Sequence, residues 1–126
     1  MRPDPRFPST IAKHFNAIED PATRANFLKL MDTALATVTT AGVRAQQDYS
    51  SGGNTGHNQF KVAISALEAL RDAEGITDHR EYISGQIFEL NNAGASAKPI
   101  LLNKLRVNLA STITKLDQAE IGRAHV

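Results

Sequence analysis

Apolar residues in this chain recur at intervals of three and four over most of its length, the period of a helix that buries one face. Residues 100–121 carry two such lines. Leu102, Leu105, Leu109, Ile113 and Leu116 form one, and Ile100, Val107 and Ile121, spaced by multiples of seven, form another on the other side. A helix with a single neighbour needs a single stripe. The last helix therefore expects partners on two sides, either as the central rod of a small bundle or as the rod of one subunit that touches another.

The earlier windows read as four further helices. Residues 9–19 place Ile11, Phe15 and Ile18 on one face behind Ser9 or Thr10 as N-cap. Asp20-Pro21 ends that helix and begins the next, because an aspartate cap satisfies one orphan amide and a first-turn proline removes another. In residues 21–48 the positions Leu28, Met31, Leu35, Val38, Gly42 and Ala45 alternate three and four, flanked by Phe27, Leu30, Ala34 and Ala41. Lys29, Thr33, Thr40 and Arg44 fall opposite. Thr39, Thr40 and Gly42 weaken the middle of this helix, where the pattern allows a bend and also a close approach by another helix.

Residues 49–58 form the clearest loop, a Ser/Gly/Asn cluster containing Gly52, Gly53 and Gly56. The next helix, over residues 58–74, turns Phe60, Ala63, Ile64, Leu67 and Leu70 inward, and Gly75-Ile76 reads as its left-handed cap. Asp78 and Glu81 make a capping-box-like start to a helix reaching residues 91–94, with Ile83, Ile87 and Leu90 inward. Phe88 lies off that stripe, so it either fills a second layer or faces a partner. Pro99 suits the first turn of the last helix. Strict apolar/polar alternation does not persist, so the fold class is all-α: a compact bundle of about five helices. Residues 9–126 make one domain. Residues 1–8, with Pro3, Pro5 and Pro8, read as an extended arm.

Composition narrows the functional classes. The 126 residues are 41% hydrophobic and 21% charged, the range of one globular domain. With no cysteine, the chain holds no disulfide, thiolate metal site or cysteine nucleophile. The first ten residues lack the apolar run of a secretory signal, and no uncharged stretch approaches the ~20 residues of a bilayer span. Cytoplasm is the default compartment, with incorporation in a larger particle left open. Residues 50–96 carry three basic and six acidic side chains, whereas residues 97–126 carry five basic and two acidic. Such segments pack on one another within the fold or pair neighbouring subunits.

Candidate chemistry is sparse. The Gly-rich stretch 50–58 precedes a helix, a natural anion position, but no buried strand leads into it and no Gly-Lys-Ser/Thr closes it. Read as a calcium loop from Asp48, it puts Gln59 where a bidentate glutamate is required. His14, His57, His79 and His125 lie on different elements without a metal-binding spacing. His79 sits near Glu74, Asp78 and Glu81, yet Asp78 and Glu81 are accounted for as helix-start residues. Lys98, Lys104, Arg106, Lys115 and Arg123 do not gather into one stripe, and no aromatic residue interleaves them for nucleic acid.

No cofactor or metal is called for. The expectation is a non-enzymatic, protein-binding or structural assembly subunit, associating with copies of itself through Ile100, Val107 and Ile121 together with Phe88 and the arm residues Pro5 and Phe7. The alternatives are a monomeric helical adaptor or inhibitor of another protein, and a small enzyme or ligand binder using residues 50–58.

Overall fold

The computed structural model describes residues 6–74 and 79–124. They form α1 (Arg6–Asn16), α2 (Pro21–Ser51), α3 (His57–Arg71), α4 (His79–Asn91) and α5 (Ala97–Ala124), with no strand among the described residues. The all-α expectation holds.

Local chemistry explains the boundaries and corrects three of them. Helix α1 starts at Arg6 rather than at residue 9 or 10, so residues 6–8 belong to it and not to an arm. Pro8 is buried in its first turn, a place where proline forfeits no hydrogen bond because those amides have no intrahelical acceptor. Ser9 and Thr10 are consequently interior rather than capping. Pro3 and Pro5 lie outside the described residues. Asp20 caps α2 as expected, accepting from the Thr23 amide at 3.2 Å and the Thr23 hydroxyl at 2.6 Å.

Helix α2 then runs unbroken past residues 41–42 and three residues beyond its expected end, to a C-cap at Gly52 with φ of 74°. No break occurs at the threonines in its middle. Thr33, Thr37, Thr39 and Thr40 return their hydroxyls to carbonyls four residues back, so each is satisfied inside the helix. The loop shrinks to residues 52–56, and Tyr49 joins the last turn of α2. Helix α3 stops at Arg71, short of residue 74. The Gly75-Ile76 cap and Asp78 lie outside the described residues.

Helices α2 and α5 are the two long rods and run antiparallel. At one end Gly42 faces Leu102, and at the other Arg24 meets Glu120 at 3.3 Å. Helix α3 returns along the second half of α2, and α4 closes the ring between α3 and α5, where Tyr82 reaches Asn108. Helix α1 fills the remaining end against α5 and α4. Arg123 donates to the Asn16 carbonyl at 2.7 Å there, and the Phe15 and Phe27 rings stand 6.2 Å apart.

The core is one cluster drawn from all five helices. It includes Phe15, Phe27, Met31, Leu67, Leu70, Ile83 and Leu90, and from α5 Leu102, Leu105, Leu109 and Leu116. Two polar groups enter it from α5, each with a partner. The buried Thr112 hydroxyl donates to the Asn108 carbonyl at 2.7 Å, and the Asn108 amide donates to the Tyr82 hydroxyl at 2.5 Å.

Two glycines set opposite expectations. A Cβ on Gly56 would lie 2.8 Å from the Arg44 Cβ and 3.2 Å from its carbonyl carbon. Gly56→Ala should therefore destabilise by about 1–3 kcal/mol through overpacking against α2. A Cβ on Gly42 would meet Leu102 at an ordinary 3.5 Å, and Gly42→Ala should stabilise by about 0.5–1 kcal/mol from helix propensity. Tyr82→Phe strands the Asn108 amide, with an expected loss of about 1–3 kcal/mol. Urea unfolding midpoints check all three.

Candidate protein interface

Helix α5 meets its neighbours over one broad side. The line Leu102, Leu105, Leu109 and Leu116 is buried, with Ile113 partly so. The second line is not covered: Ile100 is 58% and Ile121 60% exposed, and Val107 is half-buried. This overturns the reading of α5 as a central rod enclosed by its own bundle. The reason lies in how the partners are spread. Helix α4 serves α5 as far as Asn108, while α1 serves its C-terminal end at Arg123. The two short helices succeed each other along α5 instead of surrounding it, and its outer side stays open.

That outer side has a composition of its own. At about 100° per residue, positions 100, 103, 107, 110, 111, 114, 118 and 121 share a sector about 100° wide. None of the eight is charged, although α5 carries five basic and two acidic residues. Ile100, Val107, Thr114 and Ile121 fall at every seventh place and are all β-branched. The Thr114 hydroxyl donates to the Ala110 carbonyl at 3.1 Å, so its hydrogen-bonding capacity is turned back into the helix. Lys104 and Lys115 border the sector on one flank, Arg106 and Asp117 on the other. Depletion of charge at the centre is a feature the sector shares with interface cores, although it carries none of the aromatic residues enriched there.

The other expected contact residues separate. Phe88 is 70% exposed on α4, the helix beside α5, so it faces outward rather than filling a second layer. Phe7 falls in the first turn of α1, and Pro5 lies outside the described residues. Sequence reasoning missed a groove of about 400 Å³ between α2 and α5, whose walls include Val43, Gln46, Pro99 and Arg106 over a floor of Val38 and Leu102. Val43 is 55% exposed at its edge. It was missed because the groove joins residues far apart in the chain. Thr114 was legible from its seven-residue spacing.

The Gly-rich loop is organised from within. One Asp48 oxygen accepts from the Thr55 amide at 2.9 Å and the Thr55 hydroxyl at 2.7 Å, and the other accepts from the Gly56 amide at 2.7 Å. The Thr55 hydroxyl, then the Gly56 amide, hold the Asp48 carboxyl below the ordinary aspartate range. An anion approaching the start of α3 would meet this carboxylate. A cavity of about 220 Å³ beside the loop is lined by Tyr49, His57, Phe60 and Lys98, with the Lys98 ammonium 4.2 Å from the Phe60 ring centre.

Two of the basic residues of α5 are also engaged locally. Arg106 donates to Asn103, and Arg123 donates to Asn16. The acidic middle meets the basic last helix where α4 packs on α5, while the ion pairs seen among the described residues join Glu120 to Arg24 and Arg123, and Arg71 to its neighbour Asp72. No group of acidic, histidine or cysteine side chains suited to a metal occurs among the described residues. The Asp78 and His79 side chains lie outside them. No described helix is long and apolar enough to cross a membrane. Comparison with protein families, curated proteins and solved structures gave no match.

Asp48 yields a pH expectation. Its folded-state pKa lies below the unfolded value of about 3.9, so its stabilisation is complete above that value and fades as pH falls through the folded pKa. Asp48→Asn should unfold at lower urea than the natural chain at pH 6. That gap should narrow on acidification below about pH 4.

Proposed function

We propose that this chain is a structural, protein-binding subunit that associates with copies of itself through the outer side of α5, and that it works by binding rather than by catalysis. The observation that supports this is the charge-free sector of α5, with Ile100 and Ile121 exposed at its two ends. Exposed single apolar residues are common on protein surfaces. Over residues 100–121 this face of the helix is free of charge while Lys104, Arg106, Lys115 and Asp117 stand at its rim.

Magnitudes make the association reversible. Fully burying an isoleucine is worth roughly 1.5–3 kcal/mol, and with Ile100 58% and Ile121 60% exposed the four in a pair of chains offer about 4–7 kcal/mol. Lost translational and rotational freedom opposes this with about 4–15 kcal/mol. The sector is about 33 Å long at 1.5 Å per residue, which places the contact below the ~1,200 Å² of a standard interface. A dissociation constant in the micromolar range or weaker follows. Phe88, exposed on the neighbouring α4, is the residue available to widen the contact.

Sedimentation equilibrium from about 10 μM to 1 mM tests the proposal. The natural chain should pass from monomer to a larger species, and Ile100→Ser with Ile121→Ser should weaken that passage at least tenfold, with Phe88→Ser weakening it less. A chain that stays monomeric throughout, or a double serine variant that associates unchanged, overturns it. In the monomeric case an adaptor for another protein becomes the better reading.

A further inference from the structure

Independently of the self-association reading, we propose that the groove between α2 and α5 binds a small amphipathic carboxylate, a molecule with an extended apolar chain and one anionic head held by Arg106. The groove has a volume of about 400 Å³, within the roughly 300–1,000 Å³ of small-molecule sites, which combine apolar walls with a few fixed polar groups. Val38 and Leu102, both buried, make its floor, and Pro99 and the edge of Val43 rise on either side.

Charge decides the class of occupant. Arg106 is the single ionisable residue lining the groove, and the polar side chains beside it are neutral amides and a threonine. The Arg106 side chain is half-buried and forms no ion pair among the described residues. Its Nε and Nη2 donate to one Asn103 oxygen at 3.1 and 2.9 Å, which fixes the plane of the guanidinium and leaves Nη1 and the second Nη2 hydrogen available. That remaining edge is a fork that takes a carboxylate through two parallel hydrogen bonds. Asn103 thus orients a cation that has no counter-charge of its own, and an anion completes it. A cationic ligand would bring like charge to Arg106 and find no carboxylate on the lining.

Dimensions set the length. Because α2 and α5 are antiparallel with Gly42 facing Leu102, Arg106 stands toward the Val38 end of the groove and Pro99 toward the Gln46 end. The stretch from Pro99 to Arg106 is about 10 Å at 1.5 Å per residue. An extended chain covers about 3.6 Å in three bonds, so about eight or nine bonds fit. Gly42 supports the same reading. It lies inside an unbroken helix, where glycine lowers propensity, yet an added Cβ would meet Leu102 at an ordinary 3.5 Å. Packing between the rods therefore admits alanine. What a methyl group would take away is depth from the groove that Gly42 lines.

Decanoate matches this length and is the probe, with decanol as the uncharged control. Amide NMR of the natural chain at about 50 μM, with decanoate added to about 5 mM, should show saturable shifts confined to residues 38–47 and 99–106. Decanol should bind about fivefold more weakly or worse, and Arg106→Gln should weaken decanoate by a similar factor while leaving decanol unchanged. Gly42→Ala, expected to stabilise the fold, should weaken both about threefold, an effect that a loosened fold would not explain. Absence of saturable shifts, equal binding of decanoate by the natural chain and Arg106→Gln, or shifts strongest around Phe88 and Ile121 overturns the assignment. Movement of the Val38 and Gly42 signals on concentrating the chain alone also overturns it, because a second copy then fills the groove.

Discussion

The structure depends on the antiparallel contact between α2 and α5. These are the only described helices long enough to span the bundle, and each supplies an unbroken buried stripe: Phe27, Met31, Ala34, Val38 and Ala41 from one, and Leu102, Leu105, Leu109 and Leu116 from the other. The stripes complement each other in size. Small residues on α2, with Gly42 facing Leu102, let the leucines of α5 lie close, as interdigitated packing requires. Helices α1, α3 and α4 are each about half as long and take their places against this pair. None of them closes the bundle alone.

This division of labour explains why one side of α5 is bare. Enclosing a helix needs neighbours at the same height on several sides, and here the short helices are stacked end to end along the rods. The polar contacts mark the handover. Asn108 holds Tyr82 of α4 near the middle of α5, and Arg123 holds Asn16 of α1 at its end. Burial of Thr112 and Asn108 within the leucine stripe fixes which sector faces inward, since rotating α5 would leave two hydrogen-bonding groups without partners.

Most of the helical layout was legible because periodicity reports burial directly. Ile83, Ile87 and Leu90 on α4, and Ala63, Leu67 and Leu70 on α3, are buried as the spacing indicated. Asp20 was legible because a cap is a local event. What was not legible depended on contacts between distant residues. Asp48 reads as a polar residue before a glycine-rich stretch, and nothing in its neighbourhood says that it will gather Thr55 and Gly56 and shorten the loop. Pro8 reads as a helix breaker until its position in a first turn is known. The second line on α5 was visible as a pattern. Whether the chain's own helices would cover it depended on where they end along the rod, which spacing does not encode.

The Asp48 clasp has a bearing on how the chain reaches this fold. It ties residues only seven and eight apart in sequence, so the reversal from α2 into α3 is specified by a contact that needs no other part of the molecule. Segments of this length close in about 10–100 ns, and topologies rich in such short-range contacts assemble quickly. A helical pair aligned early by its own turn offers α5, the last of the five helices in chain order, a ready-made surface on which to settle.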